Sequence, residues 1–186
     1  MKYDEFLDLS DIAEDVRKAS FDNCLLNPEI VFWGKEWLHR KNKKSLILQG
    51  IPGCGKTFFS IALLETLWKS LLPHPFIIFK TSNQLDTQLL NAVMGKSQHN
   101  ADSIIRMCVD STIFFLDDLG VETSSERIQR QYLEILNHRC SQNKVTVLST
   151  NNSIKQIREK FGHRIYSRIK NFTLVKFPKI DYRGVM

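Results

Sequence analysis

Residues 50–57 read GIPGCGKT, with glycines at 50, 53 and 55 leading into Lys56 and the hydroxyl of Thr57. Glycines let backbone N–H groups close around an anion, lysine adds a positive charge on a flexible stem, and threonine offers an oxygen ligand to a hard cation. The chemistry these types suit is capture of a phosphate chain. The full GxxxxGK[ST] spacing follows the apolar run SLILQ and precedes TFFSIALLETLWKSLL, which has helical spacing. A tight turn with an incidental lysine needs neither neighbour. The candidate nucleotide-binding set is therefore Gly50, Pro52, Gly53, Cys54, Gly55, Lys56, Thr57 and Phe58, with Lys56 near the β and γ phosphates and Thr57 on Mg²⁺.

Asp117 and Asp118 end the run TIFFLDD, 61 and 62 residues after Lys56. A carboxylate at the end of a buried strand can hold Mg²⁺ directly or through water, which assigns Asp117 to the metal. Asp118 is then the candidate to orient and polarise an attacking water. Ser149-Thr150-Asn151-Asn152 closes the next apolar run, KVTVLST. An Asn151 amide there could hydrogen-bond that water or the γ-phosphate, although asparagines after strands are also ordinary turn residues. Further on, FGHRIYSRIKN places Arg164 and Arg168 four residues apart, on one helix face. An arginine delivered to the γ-phosphate of a neighbouring subunit raises the rate by ~10³–10⁵; a solvated basic face is the alternative.

The elements that must position these residues follow from periodicity. SLILQ (45–49), FIIFK (76–80), TIFFLDD (112–118), KVTVLST (144–150) and FTLVKF (172–177) read as strands. Residues 4–19 place Phe6, Leu9, Ile12, Val16 and Ala19 on one helical face. Asn27-Pro28 opens a helix through IVFWGKEWLH with proline at its first position. Residues 83–93 and 101–110 read as helices. Thr123-Ser-Ser-Glu126 reads as a capping box for a helix to about Ser141, and a basic helical pair covers 153–170. Strands that are continuously apolar and alternate with helices predict a parallel sheet covered on both faces. Ligands of such sheets bind beyond the carboxyl ends of the strands, where all three motifs fall.

At 186 residues the chain suits one domain with a real core. The apolar stretch IALLETLWKSLL carries Glu65 and Lys69, which excludes a membrane span. Cys24, Cys54, Cys108 and Cys140 stand far apart without zinc spacing, as reduced thiols of a cytoplasmic protein do. Residues 1–15 hold six acids and one base, while the remainder has 25 bases and 14 acids. A basic body of net +11 suits an anionic partner without requiring one.

The order GIPGCGKT, FLDDLG, STNN, GHRIYSRI and a terminal DYR resembles the AAA+ ATPases of the DnaC/DnaI helicase-loader group, with which the IstB transposition helpers belong. The resemblance covers about residues 20–183. It implies an α/β AAA+ P-loop fold, a five-stranded parallel sheet with helices on both faces and little or no separate lid domain. It also implies ATP and Mg²⁺ as ligands, with Lys56 and Thr57 as Walker A, Asp117 and Asp118 as Walker B and Asn151 as the first sensor. Arg168 would be the arginine finger with Arg164 beside it, and Arg183 the second sensor. Implied partners are a replicative helicase or a transposase, single-stranded DNA through the region about 80–110, and neighbouring subunits that receive Arg168 in trans. That region holds Lys80, Lys96 and Arg106 but no aromatic platform for stacked bases.

Two departures from the group bear on the reading. Only 49 residues precede Gly50, so the acidic segment 1–20 is either a partner-binding element or a packing helix, ahead of an ATPase domain over 21–186. Asp118 stands where many AAA+ proteins carry the longer glutamate. The adenine contacts are expected near Phe21 to Leu25. An ATP-dependent loader, an ATP-sensing adaptor with little turnover, and a nucleoside or nucleotide kinase all share the phosphate loop. The kinase would need an arginine-rich lid and an acceptor pocket, whereas the arginines here follow the fourth strand in GxRxxxR form and the DDLG acids precede a long helix.

Overall fold

The computed structural model describes residues 3–10, 12–71, 73–120 and 125–183. Five strands, β1 (Leu46–Gln49), β2 (Ile77–Thr81), β3 (Ile113–Asp117), β4 (Val145–Thr150) and β5 (Thr173–Lys176), form one sheet in the order β2-β3-β4-β1-β5. Every pairing is parallel, with Leu46 opposite both Val147 and Thr173, and Ile113 opposite both Ile77 and Val145. The fold is the α/β arrangement that the alternation of strands and helices predicts. All of β3 is buried because helices cover both of its faces.

Strand side chains alternate between two cores. Leu46, Leu48, Phe79, Phe115 and Val147 face one helical layer, and Ile47, Phe114, Leu116 and Leu148 face the other. On the first side lies α3 (Lys56–Ser70), which buries Phe59, Ile61, Leu63, Leu64 and Leu67 between the sheet and α2 (Pro28–His39). Asn27 caps α2 by accepting from the Glu29 N–H, with Pro28 at the first helical position. On the second side lie α4 (Ser82–Val93), α5 (Ala101–Asp110), α6 (Glu126–Ser141) and α7 (Ile154–Ile169). Gly162 (φ 79°, ψ 168°) breaks α7 into the two basic halves expected from the sequence.

Two local expectations are corrected. Residues 4–19 do not form one helix: α1 (Tyr3–Leu9) stops, and only a 3₁₀ turn at Glu14–Val16 follows. The Arg17 side chain donates to the Ile12 carbonyl at 2.8 Å and pairs with Asp8, which favours a fold-back over continued helix. Phe6, Leu7, Ile12 and Ala19 nevertheless all enter the first core, and the Phe6 ring lies 4.8 Å from Trp68. The apolar side of this segment packs at home while Asp4, Glu5 and Asp8 face outward. In the capping box expected over 123–126, Thr123 and Ser124 lie outside the described residues. The cap of α6 is Ser125, whose side chain accepts from the Ile128 N–H, so Glu126 is the first helical residue rather than the third.

Candidate active site

Gly53 (φ 77°) and Gly55 (φ 88°) take left-handed dihedrals that turn the chain from β1 into α3, with Gly55 as the helix cap. The loop thereby presents the N-terminus of α3 to a cavity of about 420 Å³ at the carboxyl ends of the strands. Lys56, Thr57, Asp118 and Asn151 line it together with Pro52, Gly53, Gly55 and Phe58. Pro52 and Asn151, 99 positions apart, thus share one wall because β1, β3 and β4 end side by side.

The Lys56 ammonium is almost fully buried. It donates to Asn151 Oδ1 at 2.7 Å and to the carbonyls of Ile51 (2.9 Å) and Gly50 (3.1 Å). Thr57 Oγ1 donates to Asp117 Oδ2 at 2.6 Å. The other oxygen of Asp117 accepts from Ser149 Oγ. Asp117 is 3% exposed, and burial, followed by the nearby charge of Asp118, pushes its carboxyl up to about 6. The bonds from Ser149 and Thr57 and the charge of Lys56 oppose that rise.

Asp118 has φ 56°, unusual for a residue with a side chain. Its N–H donates to Ser149 Oγ at 2.9 Å, and its carbonyl accepts from Ser82 Oγ at 2.8 Å. The left-handed residue turns the chain out of β3, and Asp118 joins the lining of the cavity while Asp117 stays in the wall. Next along, Thr150 Oγ1 donates to the Leu119 carbonyl at 2.7 Å and Asn152 Nδ2 to that of Gly120 at 3.0 Å.

The remaining expected residues divide by position. Arg183 reaches the cavity from the C-terminal segment, where the Tyr182 N–H donates to the Gly53 carbonyl at 2.9 Å. Asp181 lies so close that a Cβ on Gly53 would stand 1.9 Å from its Oδ1, and it also sits 3.8 Å from Arg183 Nε. Arg164 and Arg168 are exposed and do not line the cavity. Arg168 Nε bonds Asn137 of α6, and Arg168 shares a groove with Ser45, Ile113 and Val145, at the opposite ends of the strands. Cys54 is buried behind the loop.

The stretch Phe21 to Leu25, where the adenine contacts are expected, stands apart from the cavity lining. Phe21 is 7% exposed and packs edge-on against Phe59 in the core. None of residues 21–25 lines the cavity, and Asp15, Val16 and Tyr182 do instead. Because α1 ends at Leu9, the 3₁₀ turn at Glu14–Val16 comes to the loop, and no local pattern signals that. Ser149 was visible in STNN, but only the pairing of Leu116 with Leu148 sets it beside Asp117.

Among the described residues no group of three or more His, Cys, Asp or Glu could hold a metal ion. The donors at hand are the oxygens of Thr57 and Asp117 beside a phosphate-binding loop. That fits Mg²⁺, which takes one or two protein oxygens and fills its octahedron with phosphates and water.

Phosphate loop, paired acids and an asparagine across adjacent strand ends define a P-loop NTPase. Residues 46–173 match the ATPase family associated with various cellular activities (AAA), and the chain belongs to that family. Among curated proteins it is similar to the replicative helicase loader DnaC of Buchnera aphidicola subsp. Baizongia pistaciae, 23% identical over 91% of this chain and 70% of the relative. A solved structure of the DnaC helicase loader superposes with a TM-score of 0.77 at 20% identity, covering 89% of this chain and 100% of that one. AMPPCP-bound DnaA from Aquifex aeolicus superposes at 0.74 with 18% identity, over 86% of this chain. The chain spans half the length of that DnaA. Among the described residues no helix is long and apolar enough to cross a membrane.

Proposed function

We propose that the protein binds and hydrolyses ATP and acts in DNA replication by loading or regulating a replicative helicase on single-stranded DNA. The observation that carries the reading is the joint placement of Lys56, Thr57, Asp117, Asp118 and Asn151 around one cavity. In this reading the 53–57 backbone and Lys56 hold the β and γ phosphates, while Thr57 Oγ1 and Asp117 hold Mg²⁺. When bound, Mg²⁺ neutralises charge that develops on the phosphate oxygens. Asp118 orients a water whose oxygen bonds to the γ-phosphorus as the bond to the β-bridging oxygen breaks, and it accepts that water's proton. Asn151, already bonded to Lys56, reports whether the γ-phosphate is present. Arg183 contacts phosphate within the chain.

Arg168 acts in trans on a neighbouring subunit of a homo-oligomer or mixed ring, with Arg164 beside it. The exposed acids of residues 1–20 offer a contact for the helicase ahead of the ATPase domain over 21–186. DNA lies along α4 and α5, where Lys96 and Arg106 are exposed. Supporting these assignments are the family, the DnaC relatives and the basic charge of the body.

The test is phosphate release by the full chain with and without single-stranded DNA and helicase, alongside Lys56→Ala and Asp118→Asn. Lys56→Ala should lose nucleotide binding, and Asp118→Asn should keep binding while losing turnover by at least about 100-fold. Little turnover in the wild type, with tight ATP binding and partner association that survive Asp118→Asn unchanged, would replace the loader with an ATP-sensing adaptor of transposition-helper type. Phosphoryl transfer to a nucleoside would make it a kinase.

A further inference from the structure

We propose that Ser149 is a positioning residue that sets the two acids of the site in register, so that its hydroxyl governs both magnesium use and turnover. The inference rests on the ATP-hydrolysing reading above and extends it to a side chain with no assigned role.

Ser149 is 1% exposed at the end of β4. Its Oγ donates to Asp117 Oδ1 and accepts from the Asp118 N–H at 2.9 Å. A hydroxyl has one proton and two lone pairs, so donation to the carboxylate leaves acceptor capacity for the amide. One atom therefore meets both acids. Its main chain adds a third tie, because the Ser149 carbonyl accepts from the Leu119 N–H at 2.8 Å.

Each contact has a separate consequence. With Ser149 on Oδ1 and Thr57 on Oδ2, the Asp117 carboxylate is held from both sides, and its plane is fixed before a metal arrives. Metal-binding carboxylates depend on such partners for orientation. The contact to the Asp118 amide supports a left-handed backbone that a non-glycine residue rarely adopts. That backbone decides where the Asp118 carboxylate lies in the cavity. An alanine at 149 would leave a buried carboxylate oxygen short of a donor and free the strained turn.

The experiment uses the full chain as Ser149→Ala and Ser149→Thr. It follows binding of a fluorescent ATP analogue in EDTA, the magnesium concentration that half-saturates the added binding, and steady-state kcat and KM. Ser149→Ala should raise the magnesium midpoint and lower kcat by about 10-fold or more each. Its nucleotide affinity in EDTA should be unchanged, and Ser149→Thr should restore both readouts. Wild-type magnesium midpoint and kcat in Ser149→Ala would overturn the proposal. So would a Thr variant as impaired as the Ala variant, or a loss in Ala that extends equally to binding in EDTA, which marks a merely structural serine. If wild-type binds and turns over through Asp118 while Ser149→Ala matches it, this inference falls alone. If wild-type binds no nucleotide, the ATPase reading falls and takes this one with it.

Discussion

Asp117 is where burial and charge oppose each other most sharply. An unfolded aspartate ionises near about 4, whereas burial and Asp118 push Asp117 up to about 6 in the fold. Between those values the folded protein keeps a proton that the unfolded chain has released. Stability should therefore fall as pH rises through that window, by at most about 1.4 kcal/mol per pH unit. Asp117→Asn should remove that slope in denaturant titrations. Nucleotide binding with magnesium moves the other way, since a metal ligand must be deprotonated. Its affinity should drop as pH is lowered below about 6, and binding measured in EDTA should not follow.

At the scale of elements, Arg139 of α6 is a buried polar joint. It is 0% exposed and donates to Thr146 Oγ1 (2.9 Å), the Cys108 carbonyl (2.6 Å) and both the carbonyl and hydroxyl of Ser111 (2.9 Å each). Burial pushes its guanidinium down to about 10, still protonated at neutral pH. The cation ties α6 to β4 and to the end of α5, and it lies over the Phe114 ring. Arg139→Leu would bury several acceptors without donors and should lower stability by about 3–5 kcal/mol. Because the joint is remote from the cavity, the nucleotide affinity of the folded variant should not change. Unlike the strands, this joint was not legible in the sequence. The runs 46–49 and 113–117 are apolar regardless of their neighbours, but an arginine in an amphipathic helix reads as exposed. The end of α1 at Leu9 escaped for a related reason, since Phe6, Ile12, Val16 and Ala19 satisfy helical spacing whether or not the chain stays helical.

For the whole molecule, the two ends of the sheet carry different side chains. Lys56 and Asp118 stand at the carboxyl ends of the strands, and Arg168 stands beside Ser45, Ile113 and Val145 at the amino ends. If Arg168 completes a nucleotide site, that site belongs to another chain. Arg168→Ala should then bind nucleotide normally and lose assembly-stimulated turnover, by ~10³-fold in the full effect of a trans arginine. Mixing it with Lys56→Ala, which supplies an intact arginine but an empty loop, should recover part of the activity in a phosphate-release assay. No recovery, or undiminished turnover by Arg168→Ala alone, would remove the trans role.

The chain order of motifs was enough to determine the phosphate loop, the alternation of strands and helices, and the apolar strand ends that carry Asp117 and Asn151. Those are local properties: loop dihedrals need glycine at fixed offsets, and buried parallel strands need unbroken apolar runs. Strand order and register decided the rest, since contacts between distant residues have no local signature. They set Ser149 against both acids, moved Phe21 into the core, brought Asp15 and Tyr182 to the cavity, and sent Arg168 to the far end of the sheet.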